Sequence, residues 1–185
     1  MGVTLWLVRH AVTLAAPGLC YGRLDLPAAG PATRAAAQAL ARALPPATPL
    51  RRSPAQRCRQ LAEALAELRP DLPAAIVDER LHEMDFGAWE GRPWEAIGAP
   101  ALAAWTADFA CHAPGGGETV QALLARVGRA LADARAARQP GAWITHAGVI
   151  RACRLIARGV DRVELAADWP REPVPFGSWE TIDLA

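Results

Sequence analysis

Two stretches decide how this chain folds: L-W-L-V-R-H-A at Leu5–Ala11 and, far downstream, W-I-T-H-A-G-V-I at Trp143–Ile150. Each is an apolar, strand-like run that stops on a histidine, and the first carries an arginine just before it. In an open α/β sheet the carboxyl ends of parallel strands open onto the crevice where ligands bind. His10 and His146 at two such ends can therefore face one pocket despite their separation in sequence. A reactive imidazole beside a guanidinium suits transfer of an anionic group, phosphoryl above all.

Working outward, Val3 to Val8 is a near-continuous apolar run, which predicts a strand buried on both faces. From His10 to about Gly30 there is no helical period, and Pro17, Gly18, Gly22 and Pro27 mark a loop. Pro31 to Leu44 reads as an amphipathic helix ended by Pro45-Pro46. Thr48 to Arg52 suits a short strand. Ser53 then starts a helix as N-cap, with Pro54 at N1 and Gln56 at N3 in a capping-box pattern, and the helix runs to about Arg69. Ala75 to Asp78 suits another short strand.

The stretch from Phe86 to Pro114 is rich in Trp, Pro and Gly and predicts short helices around Trp94 and Trp105. Gly115-Gly116-Gly117 breaks the chain before a long helix from about Glu118 to Arg138, with Val120, Leu123, Leu124, Val127 and Leu131 as its core stripe. Glu118 is expected to start that helix, where its charge favours the dipole. Trp143 to Thr145 is a strand, Ala147 to Arg158 a helix closed by Gly159, and Gly177 to Leu184 a final strand. Alternating strands and helices predict an α/β three-layer sandwich, a mostly parallel mixed sheet flanked by helices, in a single domain over 1–185.

Composition narrows the chemistry. At 185 residues the chain is long enough to bury about 70% of its unfolded surface, and 52% hydrophobic residues mark a globular protein. Twenty basic residues balance 19 acidic ones, for a net charge of +1. No basic stripe points to nucleic acid. Every basic residue is Arg, with no Lys and no Asn in the chain. Schiff-base chemistry and a phosphate-loop lysine are thereby excluded, so anion binding rests on Arg, His and backbone N–H groups.

The four cysteines, Cys20, Cys58, Cys111 and Cys153, lack metal-site or disulfide-framework spacing, and neither a metal nor another cofactor is expected. Cys58 and Cys153 are expected as buried helix residues. With no signal peptide and no apolar run near the ~20 residues that cross a bilayer, the expectation is a cytoplasmic protein without membrane contact.

Four elements converge if the strands lie parallel and adjacent. The first strand ends in Arg9-His10. Arg57 sits in the first turn of the helix after Ser53, where free N–H groups also favour an anion. Glu83 follows a strand, and His146 precedes Ala147-Gly148 at another helix start. Two arginines and the imidazoles around one oxygen cluster would neutralise most of a phosphate's charge.

With these residues in view, the chain resembles the histidine phosphatase superfamily. The likeness rests on five runs in the family's order: R-H-A-V-T at 9–13, S-P-A-Q-R-C at 53–58, E-M-D-F-G-A-W-E-G at 83–91, P-G-G-G-E-T at 114–119 and T-H-A-G at 145–148. The resemblance implies a phosphohistidine mechanism without metal. His10 would attack phosphorus as the neutral imidazole, its other nitrogen held by a backbone carbonyl. Arg9, Arg57 and His146 would grip the oxygens, Thr13 would join the phosphate pocket, and Glu83 would protonate the leaving oxygen.

Two positions depart from the family pattern. Ala11 stands where Gly is usual, so the loop must avoid positive φ or bear strain. Ala16 stands where Asn is usual, which removes a pocket donor unless Arg23 or a backbone N–H substitutes. Glu83 has Asp85 and Glu90 as near neighbours, with Asp78 and Glu79 just upstream. The motif favours Glu83 for the proton transfer, with a salt bridge as its alternative role. Other titratable groups and rings have structural readings: His82 and His112 as solvent-facing, and Trp89 and Trp94 as packing residues.

Within the superfamily, Glu83 and Glu118 are 35 positions apart (118 − 83), and Arg92 is the only basic residue between them. Cofactor-dependent phosphoglycerate mutases carry a longer basic insertion there, so simple monoester hydrolysis is favoured. The C-Y-G-R-L-D run at Cys20–Asp25 is most similar to α-ribazole-5′-phosphate phosphatases of cobalamin assembly. A phosphoglycerate mutase and a weakly active relative that binds a phospho-ligand stay open, as does a homodimer. The expected partner is a small phosphomonoester.

Overall fold

The computed structural model describes residues 3–184. Five strands form one sheet in the order β3-β2-β4-β1-β5: β1 (Val3–Arg9), β2 (Leu50–Arg52), β3 (Ile76–Val77), β4 (Gly141–Thr145) and β5 (Trp179–Leu184). The first four strands are mutually parallel, and β5 runs antiparallel along β1. This is the α/β layered fold expected, with element ends moved by one to three residues.

Strand alternation divides the core into two layers. Leu5, Leu7 and Trp143 face one side, where they pack with Val120, Leu123, Val127 and Leu131 of α5 (Val120–Ala137) and with Ile150 of α6 (Ala147–Ala157). Val8, Leu50, Ala142 and Ile144 face the other side, against Leu40 of α1 (Gly30–Ala43) and Leu61 and Leu65 of α2 (Gln56–Leu68). Cys58 and Cys153 are buried on α2 and α6 as expected. The short helices α3 (Trp94–Ile97) and α4 (Ala99–Ala107) bring Trp94 and Trp105 into a smaller cluster around buried Trp89 and Ile97.

Several local expectations are corrected. Ser53 is not an N-cap: α2 starts at Gln56, whose N–H donates to Asp25 Oδ1 at 2.7 Å. Glu118 does not open α5. Thr119 is the N-cap, accepting from the Ala122 N–H at 3.0 Å, while Glu118 accepts two hydrogen bonds from Arg126 at 2.7 and 2.8 Å. A buried guanidinium needs a countercharge more than a helix end needs a carboxylate. His82 and His112 are half-buried rather than solvent-facing. Of the acids near Glu83, Glu90 accepts from backbone N–H groups. The three glycines at 115–117 do more than break the chain. A Cβ on Gly115 would stand 2.2 Å from the Phe86 carbonyl oxygen, and one on Gly117 2.3 Å from that of Asp85. Backbone thus packs on backbone beside the segment that carries Glu83.

Candidate active site

Neighbouring parallel strands deliver the two histidines. In the β1–β4 register Arg9 pairs with Thr145, so His10 and His146 leave the sheet side by side. Their ring centroids are 5.1 Å apart at 64°. His10 Nδ1 meets the Ala11 carbonyl at 2.7 Å. A carbonyl only accepts, so Nδ1 carries the hydrogen and Nε2 keeps its lone pair. Burial, followed by the Arg57 charge, holds the His10 pKa down to about 3, against a smaller opposing pull from that carbonyl. Near neutral pH this imidazole is uncharged.

His146 is fully buried. Arg57 Nε donates to its Nδ1 at 3.3 Å, and its Nε2 lies 2.8 Å from Ser53 Oγ. With Nδ1 accepting, Nε2 carries the hydrogen and donates to the serine. Burial, then the charge of Arg57 and proximity to His10, keep this pKa well below the ordinary imidazole value.

Arg57 is 0% exposed. Its Nη1 donates to the Leu24 carbonyl at 2.9 Å and its Nη2 to the Gly22 carbonyl at 2.6 Å. The loop carrying those carbonyls is fixed from behind by Glu90. That carboxylate accepts four backbone N–H groups, from Gly22, Arg23, Leu24 and Phe86, at 2.8 to 3.0 Å. Only glycine fits at 22, because a Cβ there would lie 1.8 Å from the Met84 carbonyl oxygen.

Arg9 Nη1 donates to the Val174 carbonyl, and its guanidinium carbon lies 3.5 Å from the centroid of Phe176. Burial lowers its pKa, with the charge of Glu83 opposing. Glu83 reaches the start of α6: Oε2 accepts the Gly148 N–H at 3.0 Å and Oε1 accepts the Met84 N–H at 3.0 Å.

Arg9, His10, Arg57, Glu83 and His146 all line one cavity of about 440 Å³. Thr13 does not reach it: its hydroxyl donates to the Tyr21 hydroxyl at 3.1 Å, and Tyr21 is the residue that lines the wall. Ala11 has no positive φ, so alanine in the glycine position brings no backbone strain. Ala16 and Arg23 are exposed and lie outside the cavity, so Arg23 does not replace the missing donor. The cavity instead contains Arg151, which sequence reasoning missed. A signal existed: Arg151 follows Gly148 by three positions on a helix, which puts both on one face.

The match to the branch 1 model of the histidine phosphatase superfamily extends over residues 5–171. The chain belongs to that superfamily. As one of its phosphatases, it is similar to several solved structures. A mycobacterial glucosyl-3-phosphoglycerate phosphatase is 26% identical, with a TM-score of 0.82 over 98% of this chain and 90% of that one. Its complex with inorganic phosphate gives 27% identity and a TM-score of 0.78, over 97% of this chain and 88% of that one. TTHB049 from Thermus thermophilus is 32% identical, with a TM-score of 0.73 over 99% of each chain. No curated protein sequence is a significant match. Among the described residues no helix is long and apolar enough to cross a membrane.

Proposed function

We propose that the chain hydrolyses phosphomonoesters by passing the phosphoryl group through Nε2 of His10. The observation that carries this reading is the state of Arg57. It is wholly buried, yet its partners are two carbonyls and an imidazole, none of them anionic. Arg126, also buried, is matched by Glu118. A buried cation left without countercharge beside a bare imidazole nitrogen calls for an anion from outside.

In the first step the Nε2 lone pair forms a bond to phosphorus as the bond to the leaving oxygen breaks, and the Glu83 carboxyl gives that oxygen its proton. In the second, the Glu83 carboxylate takes a proton from water. The hydroxide attacks phosphorus, the N–P bond breaks, and phosphate is released. Arg9 and Arg57 hold the non-bridging oxygens and stabilise the charge that builds on them. His146, whose one N–H goes to Ser53, orients Arg57 by accepting from its Nε. Thr13 acts at one remove, by orienting the Tyr21 hydroxyl.

For substrate, the C-Y-G-R-L-D run supports α-ribazole-5′-phosphate. Two of its members, Gly22 and Asp25, hold Arg57 and the start of α2. The mycobacterial neighbour favours a second reading, hydrolysis of glucosyl-3-phosphoglycerate. A mutase reading is weaker, because Arg92 is exposed and donates to the Ala96 carbonyl rather than into the cavity. The lack of strain at Ala11 removes one motive for a catalytically idle relative.

The deciding experiment measures phosphate release from both esters and from 3-phosphoglycerate, with and without EDTA, in wild type and His10→Ala. The expected outcome is EDTA-insensitive release, highest on α-ribazole-5′-phosphate, and at least a 10³-fold loss in the variant. Full activity in His10→Ala would refute the route. Interconversion of the two phosphoglycerates beyond a trace would restore the mutase.

A further inference from the structure

Beyond the phosphate-gripping end, five rings line the 440 Å³ cavity alongside aliphatic side chains: Phe86, Trp94, Trp105, Phe109 and Trp169. The rings brace one another. Trp105 stacks on Phe109 at 5.4 Å and 30°, Phe86 meets Trp94 edge-on at 5.4 Å, and Phe109 meets Trp169 edge-on at 6.0 Å. A bare phosphate touches none of this surface. A rigid aromatic wall beside the reacting atoms is therefore a place for the leaving group.

The wall also carries unused polar atoms of one kind. Among the described residues five buried side-chain nitrogen or oxygen atoms lack a partner, and three belong to residues of this cavity: Arg9 Nε, Trp105 Nε1 and Arg151 Nε. All three are N–H donors. Arg9 faces the phosphoryl group in the reading above. Trp105 and Arg151 are left over.

We propose that Trp105 and Arg151 select a leaving alcohol built on a flat aromatic ring with a lone-pair acceptor, such as a ring nitrogen. This rests on phosphoryl transfer at His10. The ring covers apolar wall that water would otherwise wet, and the acceptor satisfies a buried indole or guanidinium N–H that no group of the chain pairs. A polyhydroxylated leaving group fits poorly. Each hydroxyl brings a hydrogen as well as lone pairs, and past Glu83 the side chains of this wall offer donors to receive the lone pairs but little to receive the hydrogens.

The test compares three monoesters whose alcohols have similar acidity, so that differences read recognition rather than leaving ability. They are n-butyl phosphate, 2-(1-naphthyl)ethyl phosphate and its isostere 2-(5-quinolyl)ethyl phosphate. Wild type is expected to prefer naphthyl over butyl by at least tenfold in kcat/KM, and quinolyl over naphthyl by a further threefold or more. Trp105→Ala should cut the naphthyl preference at least fivefold. Trp105→Phe keeps a ring, and should keep the naphthyl preference while losing much of the quinolyl gain.

Calorimetric binding of the uncleavable 3-(1-naphthyl)propylphosphonate, against n-pentylphosphonate, reads the wall without turnover. If no ester is cleaved but the naphthyl phosphonate binds at least tenfold tighter, the route through His10 fails and the aromatic subsite stands. If all three esters are cleaved equally, or both Trp105 variants keep the wild-type ratios, the subsite is refuted and the hydrolytic route survives.

Discussion

Glu83 and Gly148 meet so closely that a methyl group at 148 would have to displace the carboxylate: a Cβ there would stand 2.2 Å from Glu83 Oε1. The carboxylate takes its aim from the Gly148 N–H at the start of α6, the same helix start that follows His146. Gly148→Ala should therefore push Glu83 away from the leaving oxygen. Its kcat should fall toward that of Glu83→Gln, about 10²–10⁴-fold below wild type. Steady-state kinetics on a slow-leaving alkyl phosphate check this. A Gly148→Ala enzyme with wild-type kcat would show that the proton comes from elsewhere.

Glu90 does not line the cavity, yet it sets the carbonyls that hold Arg57. Glu90→Gln replaces an acceptor for four N–H groups with an amide that can accept at one end only. We expect weaker inhibition by vanadate, and a loss of about 1–3 kcal/mol in stability from the N–H groups left unpaired. The two effects separate in a double-mutant cycle with Arg57→Ala. If Glu90 acts through Arg57, its effect on vanadate affinity largely disappears in the Arg57→Ala background. Additive losses would contradict that link.

Acid should expose the neutral burial of His10. Its pKa in the folded chain is about 3, whereas an unfolded chain's histidine titrates near 6.5. Between those values the unfolded state binds the extra proton, so stability falls as pH drops from about 6.5 toward 3 and is fully present above 6.5. Chemical denaturation of wild type and His10→Asn across this window measures it. The stability of wild type relative to the variant should decline with acid, by up to about 1.4 kcal/mol per pH unit. A constant difference would show that His10 is not held neutral.

Ala11 has an ordinary backbone conformation, so Ala11→Gly gains nothing from glycine's freedom. It enlarges the unfolded ensemble instead. We expect a stability loss of about 0.4–1 kcal/mol, read by thermal or urea melts. A gain would mean that the alanine is strained.

The sequence disclosed those parts of the molecule whose signal is local. The apolar runs ending at His10 and His146 placed two adjacent strands, and the stripe from Val120 to Leu131 placed α5. Arg57 was legible from its helix start. What escaped notice depends on partners far along the chain. Ser53 looks like a cap in sequence because its neighbours are Pro54 and Gln56, but His146, 93 positions away, claims its hydroxyl. Glu118 looks like a first-turn acid until Arg126 turns out to be buried beside it. Glu90 resembles any surface carboxylate, because its four donors are main-chain groups 4 to 68 positions away. Arg151 lacked a motif around it, and the aromatic wall assembles from segments as far apart as Phe86 and Trp169.

The buried Arg57 charge has a consequence outside turnover. Desolvating that guanidinium is a penalty met once, when the chain folds, and any oxyanion that later settles beside it relieves the strain. Such an anion binds only the native form, so its free energy of binding adds to the resistance of the entire molecule to heat and proteolysis. Preparations kept in phosphate buffer should consequently outlast those kept in a buffer of neutral molecules at equal ionic strength. The same ion that competes with substrate would act as the enzyme's preservative.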